Sequence, residues 1–188
     1  TPGGVKRATK ASFVFAGTFT APSYPVRYTG QEWWKTQGKK VIIKASQRQT
    51  IPNDASHIGL DGDCGTATAT KVGNRYHFTL DHKAAYITFL PFSTQAIVRT
   101  SEIEKIRVTA DQAVCGEFNF NDAGIDLSSR PAPSAANQSI ELHLYPSWPA
   151  SFPIPNTPTI SANAATMVIA PGSYTNFTVD YIFRNNGT

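Results

Sequence analysis

The residues best suited to acid–base chemistry lie in the segment YHFTLDHKAAYITFLPF, where His82 follows Asp81. A catalytic imidazole needs a partner that orients it and a nucleophile within hydrogen-bond reach. The segment alternates like a β-strand, and neighbours on a strand point to opposite faces, so adjacency does not make these two residues a dyad. No serine lies in the G-x-S-x-G pattern either. We interpret His82 as a structural residue that bonds the backbone at the start of a strand, and we predict that the chain is not an enzyme.

Cysteine and aspartate offer two further kinds of site. Cys64 and Cys115 are too few for a metal cluster and lack C-x-x-C spacing, so in an exported protein they would pair as a disulfide; the alternative is two separate buried thiols. Asp61 and Asp63 stand in D-x-D spacing, but a calcium loop needs more oxygen ligands and a bidentate glutamate, so a turn is the expected structure. We predict no metal and no cofactor.

Composition limits the class of protein. The 188 residues suffice for one sizeable domain, and the net charge of +4 reflects few acids rather than many bases. The basic residues are scattered, which argues against a nucleic-acid partner. We predict a single domain over residues 1–188. Within it, residues 1–10 form a flexible N-terminal segment, and residues 184–188 resemble a linker to a C-terminal domain that is missing here.

The dominant pattern along the chain has a period of two residues, which is typical of half-buried antiparallel strands. Turn-forming clusters of Gly, Pro, Asn, Asp and Ser separate these runs. We expect an all-β fold, a two-sheet antiparallel β-sandwich of the transthyretin-like, Greek-key kind, with at most one helical turn at residues 32–37. In the first run Phe13, Phe15 and Phe19 share one face. In the last run the residues expected to face inward are Phe177, Val179, Tyr181 and Phe183.

Three stretches carry a resemblance to a known family. FTLDHKAAYITFLPF, followed by IEKIRVTADQAVCGEFNF, resembles the strand, H-x-x-A element and Gly-containing hairpin of the fimbrillin-like family of Bacteroidales. MVIAPGSYTNFTVDYIF resembles the closing hairpin of the same domain. The resemblance covers residues 76–184, and it is a pattern of strands and turns rather than a catalytic signature.

The resemblance implies a structural role at the bacterial surface. Such proteins are stalk, tip or anchor subunits of pili, exported through the periplasm as lipoproteins to the outer membrane. Their partners are other fimbrial subunits and a host or bacterial surface protein or glycan, and they contact the membrane only through a lipid anchor. Arginine-directed proteolysis of the N-terminal segment lets many of them polymerise by strand exchange. Here Arg7 is the candidate cleavage site; the alternative is a basic flank that keeps the terminus soluble.

The tryptophans suggest a second class of function, a surface carbohydrate-binding module. Trp33, Trp34 and Trp148 lie in segments rich in turn-forming residues, and flat exposed aromatic rings could stack on sugars. The alternative is that these rings pack over the open ends of the sandwich.

Overall fold

A computed structural model describes residues 10–30, 33–144 and 152–185. The chain is all-β, and its described part contains thirteen strands and three single-turn helices. The strands are β1 (Ser23–Tyr28), β2 (Lys40–Ile43), β3 (Ser46–Arg48), β4 (Gly65–Val72), β5 (Arg75–His77), β6 (Asp81–His82), β7 (Ala85–Phe89), β8 (Ser101–Thr109), β9 (Gly116–Asn121), β10 (Gly124–Asp126), β11 (Ser139–His143), β12 (Ala165–Ile169) and β13 (Thr178–Asn185). The helices are α1 (Trp33–Thr36), α2 (Ile58–Asp61) and α3 (Ile160–Asn163).

The strands form four sheets. One has the order β1-β4-β5, with β6 also paired to β4, and a second has the order β10-β9-β2. The third, here called the large sheet, has the order β13-β8-β11-β3, and the fourth is the two-stranded β7–β12 pair. All pairings are antiparallel except that of β3 with β11, which is parallel. The expected antiparallel, sandwich-like all-β fold is therefore confirmed, with one parallel pair added to it.

The core is a single hydrophobic cluster to which the large sheet, β2, β9 and the β7–β12 pair all contribute. Alternation explains its composition, because every second residue of β8 and β11 points the same way. Ile106 and Val108 are fully buried on that face. On the opposite face Arg107 and Lys105 both donate hydrogen bonds to the Glu141 carboxylate.

The predicted strands are confirmed except for the first. Residues 11–19 alternate like a strand but are not one, and in the described part of the chain no strand lies beside them. Phe13, Val14 and Phe15 are 65, 98 and 69% exposed. Alternation specifies which side chains share a face, but a strand also needs a neighbour for its backbone N–H and C=O groups. The helical turn expected at residues 32–37 is present as α1, but the expectation of at most one turn is wrong, because α2 and α3 are two more. Of the described helices, none is both long and apolar enough to cross a bilayer.

Candidate functional site

His82 is bonded to a carboxylate, but not to that of its neighbour Asp81. Its Nδ1 atom lies 2.8 Å from Oδ1 of Asp63, and the Tyr86 hydroxyl donates a hydrogen bond to the same oxygen. Pairing of β6 with the start of β4 brings these residues together, because Gly65 lies opposite His82. We expected His82 to bond the backbone; its partner is instead the side chain of Asp63. Sequence spacing gave no signal for Asp63, which precedes His82 by 19 residues.

The Asp63–His82–Tyr86 cluster fastens the chain rather than activating a nucleophile. Burial, and after it the hydrogen bond to Asp63, raises the pKa of the Tyr86 phenol, so the phenol stays protonated. Burial also raises the pKa of the adjacent Cys64 thiol to about 12. A thiolate, not a thiol, is the nucleophile in cysteine chemistry, so Cys64 is not activated at neutral pH. The cluster holds the start of β7 against the loop before β4.

The two cysteines remain separate. Cys64 and Cys115 are two separate buried thiols, and the disulfide expected for an exported protein is not formed. The Sγ atom of Cys115 lies 3.4 Å from the carbonyl oxygen of Asn137. Burial raises the pKa of Cys115 to about 11.

The D-x-D pair does not gather ligands. Asp61 is buried, with Lys44 Nζ 3.8 Å from its Oδ1 atom, and burial raises its pKa. Asp63 is engaged by His82 and Tyr86 instead. Across the described ranges, no group of three or more His, Cys, Asp or Glu side chains is placed to hold a metal ion.

The outer edge of β12 is closed by two glutamine side chains. Gln47 donates to the Val168 carbonyl at 2.7 Å and accepts from the Val168 N–H at 2.9 Å. Gln49 donates to the Ala164 carbonyl at 2.9 Å and accepts from the Thr166 N–H at 2.8 Å. Each primary amide offers one acceptor and one donor side by side, as a neighbouring strand would. The Gln-x-Gln spacing in SQRQT is the sequence signal for this arrangement, and sequence reasoning missed it.

The other edge of the β7–β12 pair is open. Backbone groups of successive residues in a strand point to opposite sides. Thr166 and Val168 direct theirs to the glutamines, so Met167 between them bonds its partner Ile87 in β7. Tyr86 and Thr88, on either side of Ile87, therefore direct their N–H and C=O groups away from β12. In the residues that the structure describes, no strand pairs with this outward edge.

Beside this edge lies an uncovered row of apolar side chains on β13. Val179 lies opposite Val108 of β8, and Tyr181 lies opposite Ile106, so each pair points to the same face of the large sheet. The β8 residues are fully buried on that face, whereas the β13 residues are not. The apolar row is Phe177, Val179, Tyr181 and Phe183, which are 39, 36, 37 and 45% exposed. The row was predicted to face inward, and its face is right, but its full burial is wrong, because in the described chain it is covered only in part, by contacts such as that of Phe89 with Tyr181.

The open edge and the apolar row border one cleft. The cleft has a volume of about 370 Å³, and Ala85, Ile87 and Phe177 are among the residues that line it. Further along, Phe89 meets Tyr181 edge to face, with ring centroids 6.2 Å apart. The row therefore follows β7 from its first residue to its last, and the two run in the same direction.

Arg130 packs against Gly172 and Tyr174, two residues that line the cleft. Its guanidinium donates to the carbonyl oxygens of Ala113 and Pro171 and lies over the Tyr174 ring, 5.3 Å from the centroid. Gly172 has a φ of 145°, and a Cβ there would lie 2.7 Å from the guanidinium, so only glycine fits without a shift. The turn that leads into the apolar row is thus held firmly.

The chain was compared with protein-family models, curated proteins and solved structures. None of them matches. The function must therefore be argued from the open edge and the apolar row themselves.

The remaining candidate residues from the sequence are dispersed or undescribed. Trp34 lies in α1 and is 58% exposed. The backbone of Trp33 begins the same helix. Arg7 and Trp148 lie outside the described residues.

Proposed function

We propose that this chain is a structural subunit of cell-surface fimbriae that joins its neighbours by strand complementation. The observation that carries the proposal is the open edge of β7 running beside the exposed apolar row of β13. An extended segment of a neighbouring subunit can fill both at once. Its backbone bonds the outward groups of Tyr86 and Thr88, and its alternate side chains cover the row.

The exposed apolar row and the open strand edge beside it both support strand addition in the cleft. A row of four partly exposed large apolar residues on one strand is a liability for an isolated protein, because such patches usually mark interaction sites. An open strand edge next to it adds a template for pairing. Catalysis has less support, since the Asp63–His82–Tyr86 cluster holds a protonated phenol and fixes β7 in place.

The resemblance to the fimbrillin-like family supplies the setting for this proposal. On that basis the chain acts in pilus assembly and adhesion, and it is exported through the periplasm to the cell surface. A lipid anchor is its only contact with the outer membrane, and cleavage after Arg7 prepares it for assembly. Its partners are other fimbrial subunits and, for adhesion, a surface protein or glycan.

The test is complex formation with terminal-strand peptides of candidate partner subunits. The purified chain, with and without arginine-specific proteolysis, is incubated with each peptide, and complexes are separated in detergent without boiling. We expect a heat-resistant complex with at least one peptide. Val179→Glu should abolish it, because the substitution places a carboxylate on the apolar row.

Thr178→Glu is the matched control, because Thr178 is the neighbouring exposed residue on the opposite face of β13. This variant adds the same charge away from the row and should bind like the original chain. Absence of a complex with every peptide, or equal binding by both variants, would argue against strand complementation.

A carbohydrate-binding module is the second candidate function, and the exposure of Trp34 favours it. A tryptophan ring that is 58% exposed offers a flat apolar surface for a sugar ring. A glycan array decides this alternative. Glycan binding that is abolished by Trp34→Ala would support the carbohydrate-binding module, and the absence of any signal on the array would exclude it.

A further inference from the structure

Residues 12–19, SFVFAGTF, have the sequence of a strand but no strand partner among the residues that the structure describes; we call them the donor segment. Their apolar side chains are among the most exposed described, with Phe13 65%, Val14 98% and Phe15 69% exposed. In the described chain these side chains are largely uncovered, apart from the ring contacts of Phe13 with Phe15 and Phe78, although they alternate as the face of a buried strand does.

The donor segment is attached to the rest of the protein at one end by aromatic contacts. The Phe19 ring lies 5.4 Å from the Tyr24 ring and 6.3 Å from the Tyr76 ring. The Tyr24 hydroxyl also accepts hydrogen bonds from two backbone N–H groups at residues 20 and 21. These contacts fix where the segment leaves β1, while the stretch before it meets only the Phe78 ring among the described aromatic contacts.

The segment and the cleft match in period, length and charge. Phe13, Phe15 and Phe19 fall on one face at a two-residue period, as do the members of the apolar row. Residues 13–19 are long enough to run beside the whole of β7. The segment carries no charge, and the charged Asp180 alternates with the row and so lies on the opposite face of β13.

We propose that the donor segment of one copy adds as a strand to the open edge of β7 in a second copy, with its phenylalanines covering the apolar row. This inference rests on the proposed function, for which it names both the donor strand and the partner. An incoming strand antiparallel to β7 also keeps Lys10 away from Lys83, which lies two residues before the start of β7.

The area available suits a specific contact. Aromatic side chains bury roughly 200 Å² each, so the exposed parts of the phenylalanines and of the apolar row together amount to roughly 600 Å². Reciprocal exchange between two copies would double this figure to roughly 1,200 Å², at the lower limit of stable specific interfaces. The backbone hydrogen bonds along β7 come in addition.

The experiment separates donor from acceptor by sedimentation velocity of the full chain over a wide range of concentration. Phe13→Asp combined with Phe15→Asp removes the donor, and Val179→Glu removes the acceptor. We expect the original chain to self-associate and each variant to associate at least about tenfold more weakly, because an unpaired carboxylate would be buried. Mixing the two variants should restore a one-to-one complex, since each retains the half that the other lacks.

Two controls test the geometry. Ala16→Asp adds a charge to the opposite face of the donor segment and should leave self-association unchanged. A synthetic peptide of residues 10–20 should compete with self-association of the original chain and should not bind the Val179→Glu variant.

The inference is overturned by a monomer at every concentration, by self-association of the donor variant at the original strength, or by a mixture that forms no complex. Slow hydrogen exchange of the Thr88 amide in a monomer, lost in the donor variant, would place the segment in its own cleft and overturn it as well. If one of these outcomes occurs while the chain still binds a terminal-strand peptide of another subunit, only this inference fails. If Val179→Glu has no effect on any of these complexes, the proposed function fails too.

Discussion

The two edges of the β7–β12 pair are treated in opposite ways. Along β12, Gln47 and Gln49 bond the outward backbone groups with four side-chain hydrogen bonds of 2.7–2.9 Å. Along β7, the outward groups of Tyr86 and Thr88 have no strand beside them in the described chain. One edge is closed by side chains that imitate a strand, and the other borders an open cleft.

Burial explains the difference. The β12 edge lies in the core, where Val168 is fully buried and where an unbonded N–H or C=O group would be costly. The β7 edge borders an open cleft, and Thr88 is exposed, so water can bond its backbone groups until a partner replaces it. An open edge is tolerable only where solvent reaches it, which is also where a partner strand can reach it.

The largest effect is expected from opening the closed edge. Gln47→Leu keeps the size of the side chain but leaves the N–H and C=O groups of Val168 buried without partners. We expect the free energy of unfolding to fall by roughly 2–5 kcal/mol, measured by urea denaturation.

Gln138→Leu is the control for this change. The Gln138 side chain donates a single hydrogen bond, to the exposed Asp111 carbonyl, so its loss should cost under about 1 kcal/mol. Equal losses in the two variants would show that the amide of Gln47 does not close the β12 edge.

Most strands could be predicted from the sequence, because their alternation reflects one buried and one solvated face. The runs around Ile106, Phe118 and Ile140 illustrate this, and all three residues are fully buried. The donor segment alternates in the same way, yet no strand in the described part of the chain lies beside it. No local pattern distinguishes the two cases.

The candidate site was less accessible to sequence reasoning. The apolar row was assigned to the right face, but its exposure depends on how many strands lie opposite β13, which is a property of the whole sandwich. The glutamine bonds join residues 115 to 121 positions apart. The bond between His82 and Asp63 likewise depends on the pairing of β4 with β6. A polar side chain in a strand is expected to face solvent, whereas Gln47 is buried because its amide bonds a backbone edge.

A smaller effect is expected from proline at two neighbouring positions of β7. The Thr88 N–H points to the open edge, whereas the Ile87 N–H points to β12. Proline removes the N–H donor. Thr88→Pro should therefore lower the free energy of unfolding by under about 1 kcal/mol, and Ile87→Pro should lower it by about 2–3 kcal/mol more. Thr88→Pro should also prevent strand addition while the protein stays folded.

Urea denaturation and circular dichroism provide the measurement for both proline variants. Hydrogen exchange of the original chain, at concentrations too low for self-association, gives an independent reading, with fast exchange at Tyr86 and Thr88 and slow exchange at Ile87. A Thr88→Pro variant as destabilised as Ile87→Pro would mean that the outward edge is already bonded.

The smallest effect concerns the side chain that anchors the open edge. Tyr86→Phe removes the hydroxyl that bonds Asp63 and should cost about 1–2 kcal/mol at neutral pH. The folded pKa of Tyr86 is raised above its ordinary value near 10, by burial first and by the Asp63 bond second. The unfolded phenol therefore loses its proton first, and stability is lost as the pH rises above about 10.

Denaturation between pH 8 and pH 11 tests this assignment. Tyr86→Phe should make the decline above pH 10 shallower by at most about 1.4 kcal/mol per pH unit, the contribution of one proton. The decline should not vanish, because burial raises the pKa of Cys115 to about 11 and acts in the same direction. An unchanged slope would mean that Tyr86 titrates alike in both states, so that its hydroxyl does not hold the start of the open edge.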